Sequence, residues 1–276
     1  MTLLLAVVAG ALIGLSLGAL GGGGSILAVP VLVYLLDQSA SQATTGSLVV
    51  VGVTSLTGAI TAHRAGNVKP ARGVTFGLVA IVGAVVGAEA SALVSEPVLL
   101  ASFAVLMLLV GGLMALRQAR HARGEPANGA HAAPPALHDP IISLREGFLC
   151  DCPRAVKVLV TATVVGLLTG FFGVGGGLLV VPALTLALAL PMEYAAGTSL
   201  VVITLTSASA LMVRAGVGAT PDWGLVAALT AASTVGGILG ARLADRTDTS
   251  KLSVAFTALV LAVAVYTAAR ALPALF

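Results

Sequence analysis

Charge is scarce in this sequence: Asp, Glu, Lys and Arg together make up 9% of its 276 residues. A soluble domain carries about 25% charge, because charged side chains cover its surface. So few cannot coat a folded ball of this size, so the outer surface is apolar and the surrounding solvent is lipid. Aromatic side chains are also scarce, at 4%. Cysteine is limited to Cys150 and Cys152, in one Cys-Asp-Cys triplet too tight for a disulfide staple. His121, His131 and His138 lack metal-ligand spacing, so no metal and no cofactor are expected. There is no nucleophile–base–acid constellation, and the Gly-rich stretches lack the Lys-Ser/Thr of a phosphate-binding loop. Catalytic residues, and with them an enzyme, are not expected. The net charge of +3 does not make a nucleic-acid surface either, since the basic residues lie between apolar segments. Met1 to Leu20 has no basic segment of the kind that opens a signal peptide, so it reads as a structural helix.

What is present in excess is apolar surface and glycine: 58% hydrophobic residues, a mean hydropathy of +1.08 and 33 glycines. Small residues let helix backbones approach closely in a bilayer. The glycines also reveal a duplication. At an offset of 152, Gly14, Gly18, Gly21, Gly23 and Gly24 align with Gly166, Gly170, Gly173, Gly175 and Gly176. The same offset pairs Val29-Pro30 with Val181-Pro182, and Ser47-Leu48-Val49-Val50 with Ser199-Leu200-Val201-Val202. At 153, Gly83, Gly87 and Ala88 meet Gly236, Gly240 and Ala241.

Apolar segments number about five per half. Residues 2–36 as one rod would extend about 50 Å, against a hydrocarbon core of about 30 Å. The rod is therefore expected to break at Gly21–Gly24 and return as a shorter helix, and the second half to do the same. The expected fold is an all-α polytopic membrane protein of two homologous repeats, each with a Gly-broken helical hairpin. The repeats span residues 1–116 and 154–276, joined by a cytoplasmic linker over 117–153. Five segments per half make the repeats inverted. In that topology Arg64, Lys69, Arg72, Arg117, Arg120, Arg123, Arg145, Arg154, Lys157, Arg242, Arg246 and Lys251 share one side, and Arg214 and Arg270 the other. Positive charge marks the cytoplasmic side, which leaves both termini outside. Four crossings per half with parallel repeats divide the charge almost as unevenly, so charge alone leaves that alternative open.

The pattern Gly-x-x-x-Gly-x-x-Gly-x-Gly-Gly-x-x-x-x-Val-Pro-x-Leu occurs at Gly14–Leu32 and again at Gly166–Leu184. With Gly197-Thr198-Ser199-Leu200 after the second copy, it resembles the sulfite exporter TauE/SafE family. The first half departs, as Thr45-Gly46-Ser47-Leu48. The resemblance implies an anion permease of the cytoplasmic membrane, carrying sulfur oxyanions or organosulfonates such as sulfite, thiosulfate or sulfoacetate.

On their own, the residues point to an anion site at the broken helices. Irregular backbone at membrane depth survives only in protein or beside a cavity. Glycine amides at a helix N-terminus suit a negative solute. The expected binding residues are Gly21, Gly22, Gly23, Gly24, Gly173, Gly175, Gly176 and Gly177, helped by the hydroxyls of Ser25, Thr44, Thr45, Ser47, Thr198 and Ser199. Arg214 is expected to draw anions to an external mouth. Close helix packing is the competing account of the glycines, and local backbone bonding that of the hydroxyls. A secondary transporter, coupled to protons or a counter-anion, is the reading; an anion channel lined by the loop amides is the rival.

Overall fold

The computed structural model describes residues 2–122, 152–188, 190, 192–215, 220–244 and 249–271. They form ten helices: α1 (Thr2–Leu20), α2 (Gly23–Leu35), α3 (Ala40–Arg64), α4 (Pro70–Ala92), α5 (Glu96–Ala122), α6 (Cys152–Phe172), α7 (Gly177–Ala187), α8 (Met192–Ala215), α9 (Trp223–Ala244) and α10 (Thr249–Ala271). No strand occurs among the described residues. Five helices are long and apolar enough to cross a membrane: α3, α4, and the stretches Glu96–Leu116, Tyr194–Arg214 and Trp223–Leu243. Helix α5 continues to Ala122, past the expected linker boundary at 117, and α6 starts at Cys152. The extension is built of good helix formers, and Gln118 Nε2 donates to Thr257 Oγ1 of α10 at 2.8 Å. Cys150, His131 and His138 lie outside the described residues.

Leu4, Leu12, Val82, Leu109, Val160, Leu239 and Val265 are exposed, as a lipid-facing surface allows, while the buried faces mix Ala, Gly, Ser and Thr with Leu, Val and Ile. Phe76, Phe103 and Met107 are the large groups in the centre.

The expected breaks fall where glycine permits them. Gly21 and Gly22 have φ of 66° and 117°, and Gly173, Gly175 and Gly176 have φ near 70°. These are left-handed conformations that side chains with a Cβ avoid. After the break, α2 turns back along α1, with Gly24 pressed on Ile13, Ser16 and Leu17. Pro30 and Pro182 lie within α2 and α7. A capping box, Ser39 Oγ accepting from Gln42 N and Gln42 Oε1 from Ser39 N, starts α3.

The helices pair across the two halves. Gly14 sits on Ser233 and Gly18 on Gly237, so α1 and α9 run parallel. Gly83 on Thr163 and Gly87 on Leu167 make α4 and α6 parallel in the same way. At each of these glycines a Cβ would strike neighbouring backbone. Helices α3 and α8 cross in the middle and run antiparallel: Thr44 meets Arg214, Gly52 meets Ser207 and Gly58 meets Leu200. Gly111 on Leu261, with Gln118 on Thr257, makes α5 and α10 antiparallel too.

Candidate functional site

The two glycine loops come together. Gly22 packs on Gly177, where a Cβ at Gly22 would lie 3.0 Å from the Gly177 Cα. Gly21 packs on Ala196, Gly173 on Thr44, Gly175 on Val51 and Gly176 on Thr169. Each loop is also tied to the other half. Ser47 Oγ donates to Gly173 O, and Ser199 Oγ donates to Gly21 O at 2.6 Å. Shifting the first contact by 152 residues turns it into the second, with donor and acceptor halves exchanged. Gly22 N donates to Leu17 O and Gly173 N to Thr169 O, while Ser25 Oγ donates to Gly22 O. Gly23 and Gly24 are buried as well.

The structure thus gathers the sequence-expected glycines and serines into one junction. The directions in which their Cβ atoms would point are filled by protein, and a space of only about 10 Å³, lined by apolar side chains and Gly176, adjoins them. Glycine is required there by the backbone angles and by packing. Thr45 Oγ1 donates to Ser41 O of its own helix, and Thr198 Oγ1 accepts from Lys69 N of the other half at 3.1 Å, so both hydroxyls serve backbone.

Arg214 is more enclosed than expected. It is 8% exposed, and its side chain is drawn inward from the end of α8 rather than displayed at a mouth. One Nη donates to Thr44 Oγ1 at 2.8 Å; the other donates to Ser91 Oγ at 2.6 Å, Gly170 O at 3.0 Å and Phe171 O at 3.3 Å. The two carbonyls belong to the last turn of α6, where the helix dipole favours a cation. Thr44 and Ser91 hand their own protons to Ser41 O and Ala88 O, which leaves their lone pairs to face the guanidinium. Arg214 Nε is buried with no partner, and no carboxylate bonds the side chain among the described residues. A permanent positive charge is therefore inside the protein without a salt-bridged carboxylate among the described residues.

A cavity of about 120 Å³ adjoins it, lined by Ala40, Ser41, Ala88, Ser91, Ala92, Val94, Glu96, Leu99 and Arg214. Its size suits a few waters or one small oxyanion. Glu96 is exposed at its edge, where one carboxylate oxygen accepts from Ala40 N, the first amide of α3. Sequence reading missed Ser41, Ser91 and Glu96. They belong to the start of α3 and to the adjoining ends of α4 and α5, and no motif joins Ser41 to the other two. The isolated arginine on the cation-poor side was the signal that pointed there.

A buried cation beside a cavity, in an apolar bundle with two glycine junctions, is where comparison with known proteins decides the class. Residues 6–267 match the family described as Sulfite exporter TauE/SafE. The chain belongs to the TauE/SafE family. A probable membrane transporter protein of Xylella fastidiosa strain Temecula1 is 34% identical over 275 residues, covering 96% of this chain and 94% of the relative. The probable membrane transporter protein YunE of Bacillus subtilis is 27% identical over 259 residues, covering 91% and 92%. No solved structure matches. The TauE/SafE assignment makes the protein a multi-pass membrane transporter rather than an enzyme.

Proposed function

We propose that this TauE/SafE protein is a secondary transporter of the cytoplasmic membrane. It moves small anions, sulfur oxyanions or organosulfonates of the sulfite, thiosulfate and sulfoacetate class, by alternating access, with Arg214 as the residue that holds the anion. One observation carries the reading: Arg214 is buried beside a cavity with, among the described residues, a free Nε–H and no hydrogen-bonded carboxylate. An unpaired buried cation costs several kcal/mol. An anion at about 4 Å returns about 4 kcal/mol at the effective dielectric typical near protein surfaces, which is the same scale. Substrate is the counter-ion that the site is built to receive.

The antiparallel runs of α3 with α8, and of α5 with α10, support inverted repeats, since helices at matching places in the two halves point opposite ways. With that direction the Arg214 cavity opens on the side of the termini, which the charge pattern makes external. The glycine junction then acts as a rigid core about which the halves move. Its packed faces speak against an open pore lined by loop amides.

The test is thermal unfolding of the purified protein against sulfite, thiosulfate, sulfoacetate, sulfate and acetate. A sulfur anion is expected to raise the midpoint, since a ligand at 100 times its Kd adds about 2.7 kcal/mol. Arg214→Gln abolishes that rise. A protein that no sulfur anion stabilises, or an Arg214→Gln variant stabilised like wild type, would overturn the proposal.

A further inference from the structure

Hydroxyls inside a membrane helix normally bond a carbonyl one turn back, and here Thr54, Thr204, Thr206 and Ser209 all do. Ser55 and Ser207 do not. Both are 0% exposed, and neither hydroxyl has a partner among the described residues. They are 152 residues apart, the spacing of the duplication, and both lie near the middle of their helices, α3 (Ala40–Arg64) and α8 (Met192–Ala215). An orphaned hydroxyl at that depth is costly, and two at matching places call for a shared partner.

Their neighbours show what kind. Ser207 packs on Gly52, where a Cβ would lie 3.3 Å from the Ser207 Cβ. Ser55 follows Gly52 by three residues and precedes Gly58 by three, on one stripe of α3 facing α8. Glycine at 52 and 58 lets α3 and α8 approach closely at the hydroxyl level. A leucine closes it at either end. Leu48 packs with Ala88 and Ala210 in a small apolar cluster separate from the main core. Leu200 packs on Gly58, 3.1 Å from where a Cβ would be. Leu48 and Leu200 are again 152 apart, and so are Gly58 and Ala210. Down the α3–α8 seam the order is therefore Arg214 with Thr44, Leu48, the two serines, and Leu200. Ala88 belongs both to the Leu48 cluster and to the wall of the Arg214 cavity, so that apolar cluster adjoins the cavity on the serine side.

We infer that Ser55 and Ser207 form a central binding station for a small oxyanion, reached from the Arg214 cavity when Leu48 moves aside and left toward the opposite side past Leu200. This rests on the transport reading above and deepens it. Arg214 attracts and first holds the anion; two neutral O–H donors hold it in transit, weakly enough for release. A site at the exchange point of two equivalent halves presents the same donors whichever gate is open, as alternating access requires.

The experiment uses the full chain in the Cys150→Ser, Cys152→Ser background. Ser207→Cys is exposed on the side of the termini to the membrane-impermeant anion 2-sulfonatoethyl methanethiosulfonate, with Leu48 intact and with Leu48→Ala. Labelling is expected to be about tenfold faster with Leu48→Ala, or with Leu48→Val if the alanine variant does not fold. No labelling with either residue, or equal rates, overturns the station. In proteoliposomes, Ser55→Ala and Ser207→Ala each weaken the apparent affinity for radiolabelled sulfite about tenfold while the unfolding midpoint stays put or rises, because each removed hydroxyl was unpaired. Wild-type flux from the double alanine variant also overturns it. If the wild-type protein moves no sulfite, the substrate reading fails, and the labelling rates still decide the station.

Discussion

Guanidinium stays protonated even when buried, so a chain that keeps Arg214 inside needs a reason beyond packing. Lysine tests whether charge or fork geometry is that reason. Arg214→Lys keeps the charge but offers one donor point to acceptors on α3, α4 and α6. Its apparent affinity for sulfite is expected to fall about tenfold in a flux assay, consistent with losing one hydrogen bond to a charged group at roughly 1.5–3 kcal/mol. Because the charge is buried, salt should screen it weakly, so a steep loss of affinity on raising ionic strength would point back to a surface attractor. Glycine makes a second contrast at this scale. A Cβ at Gly18 would meet the Gly237 backbone, whereas nothing lies within 4 Å of one at Gly112. Gly18→Ala should therefore cost at least the roughly 1–3 kcal/mol of overpacking. Gly112→Ala should gain up to about 1 kcal/mol of helix propensity. Thermal unfolding in one detergent compares the two.

Among the elements, α3 and α8 carry most of what is functional, because each supplies a serine that ties the other half's loop. Removing the latch by Ser47→Ala or Ser199→Ala should lower stability by about 1 kcal/mol each, the usual net worth of a buried hydrogen bond. Equal stability of both variants and wild type would mean that packing alone holds the junction. The seam between these helices also offers a direct check of direction. Gly52 and Ser207 are close enough that Gly52→Cys with Ser207→Cys should form a disulfide under mild oxidation, since bonded cysteines have Cβ atoms about 3.5–4.5 Å apart. Ser55 is one turn from Gly52, and a cysteine pair at 47 and 207 is offset along the seam and should not react. Crosslinking is read by cutting an engineered protease site inserted between α5 and α6, which separates the halves unless they are bonded.

For the molecule as a whole the expectation is two halves facing opposite ways. Thr220, exposed between α8 and α9, and the termini then share the external side, while Asn67, between α3 and α4, lies opposite. Thr220→Cys should be labelled in intact cells by an impermeant maleimide, and Asn67→Cys only after the cells are opened. The reverse pattern would turn the protein over.

Membrane residence, the duplication, the ten segments and their glycine breaks were all legible in the chain. Each follows from local properties: the absence of charge, a repeat of Gly and Pro at fixed spacing, and rods too long for a bilayer. Gly21–Gly24 and Gly173–Gly177 announced a break because backbone angles are a property of the residue itself. Whether such a break holds a ligand or holds a neighbour is not local. It depended on Ala196, Thr44, Val51 and Gly177 arriving from other helices to close the glycine faces. The same applies to Arg214, Ser55 and Ser207, whose partners or lack of them are set by other helices distant in the chain. Only tertiary structure decides which polar groups are satisfied when lipid forbids water as a substitute.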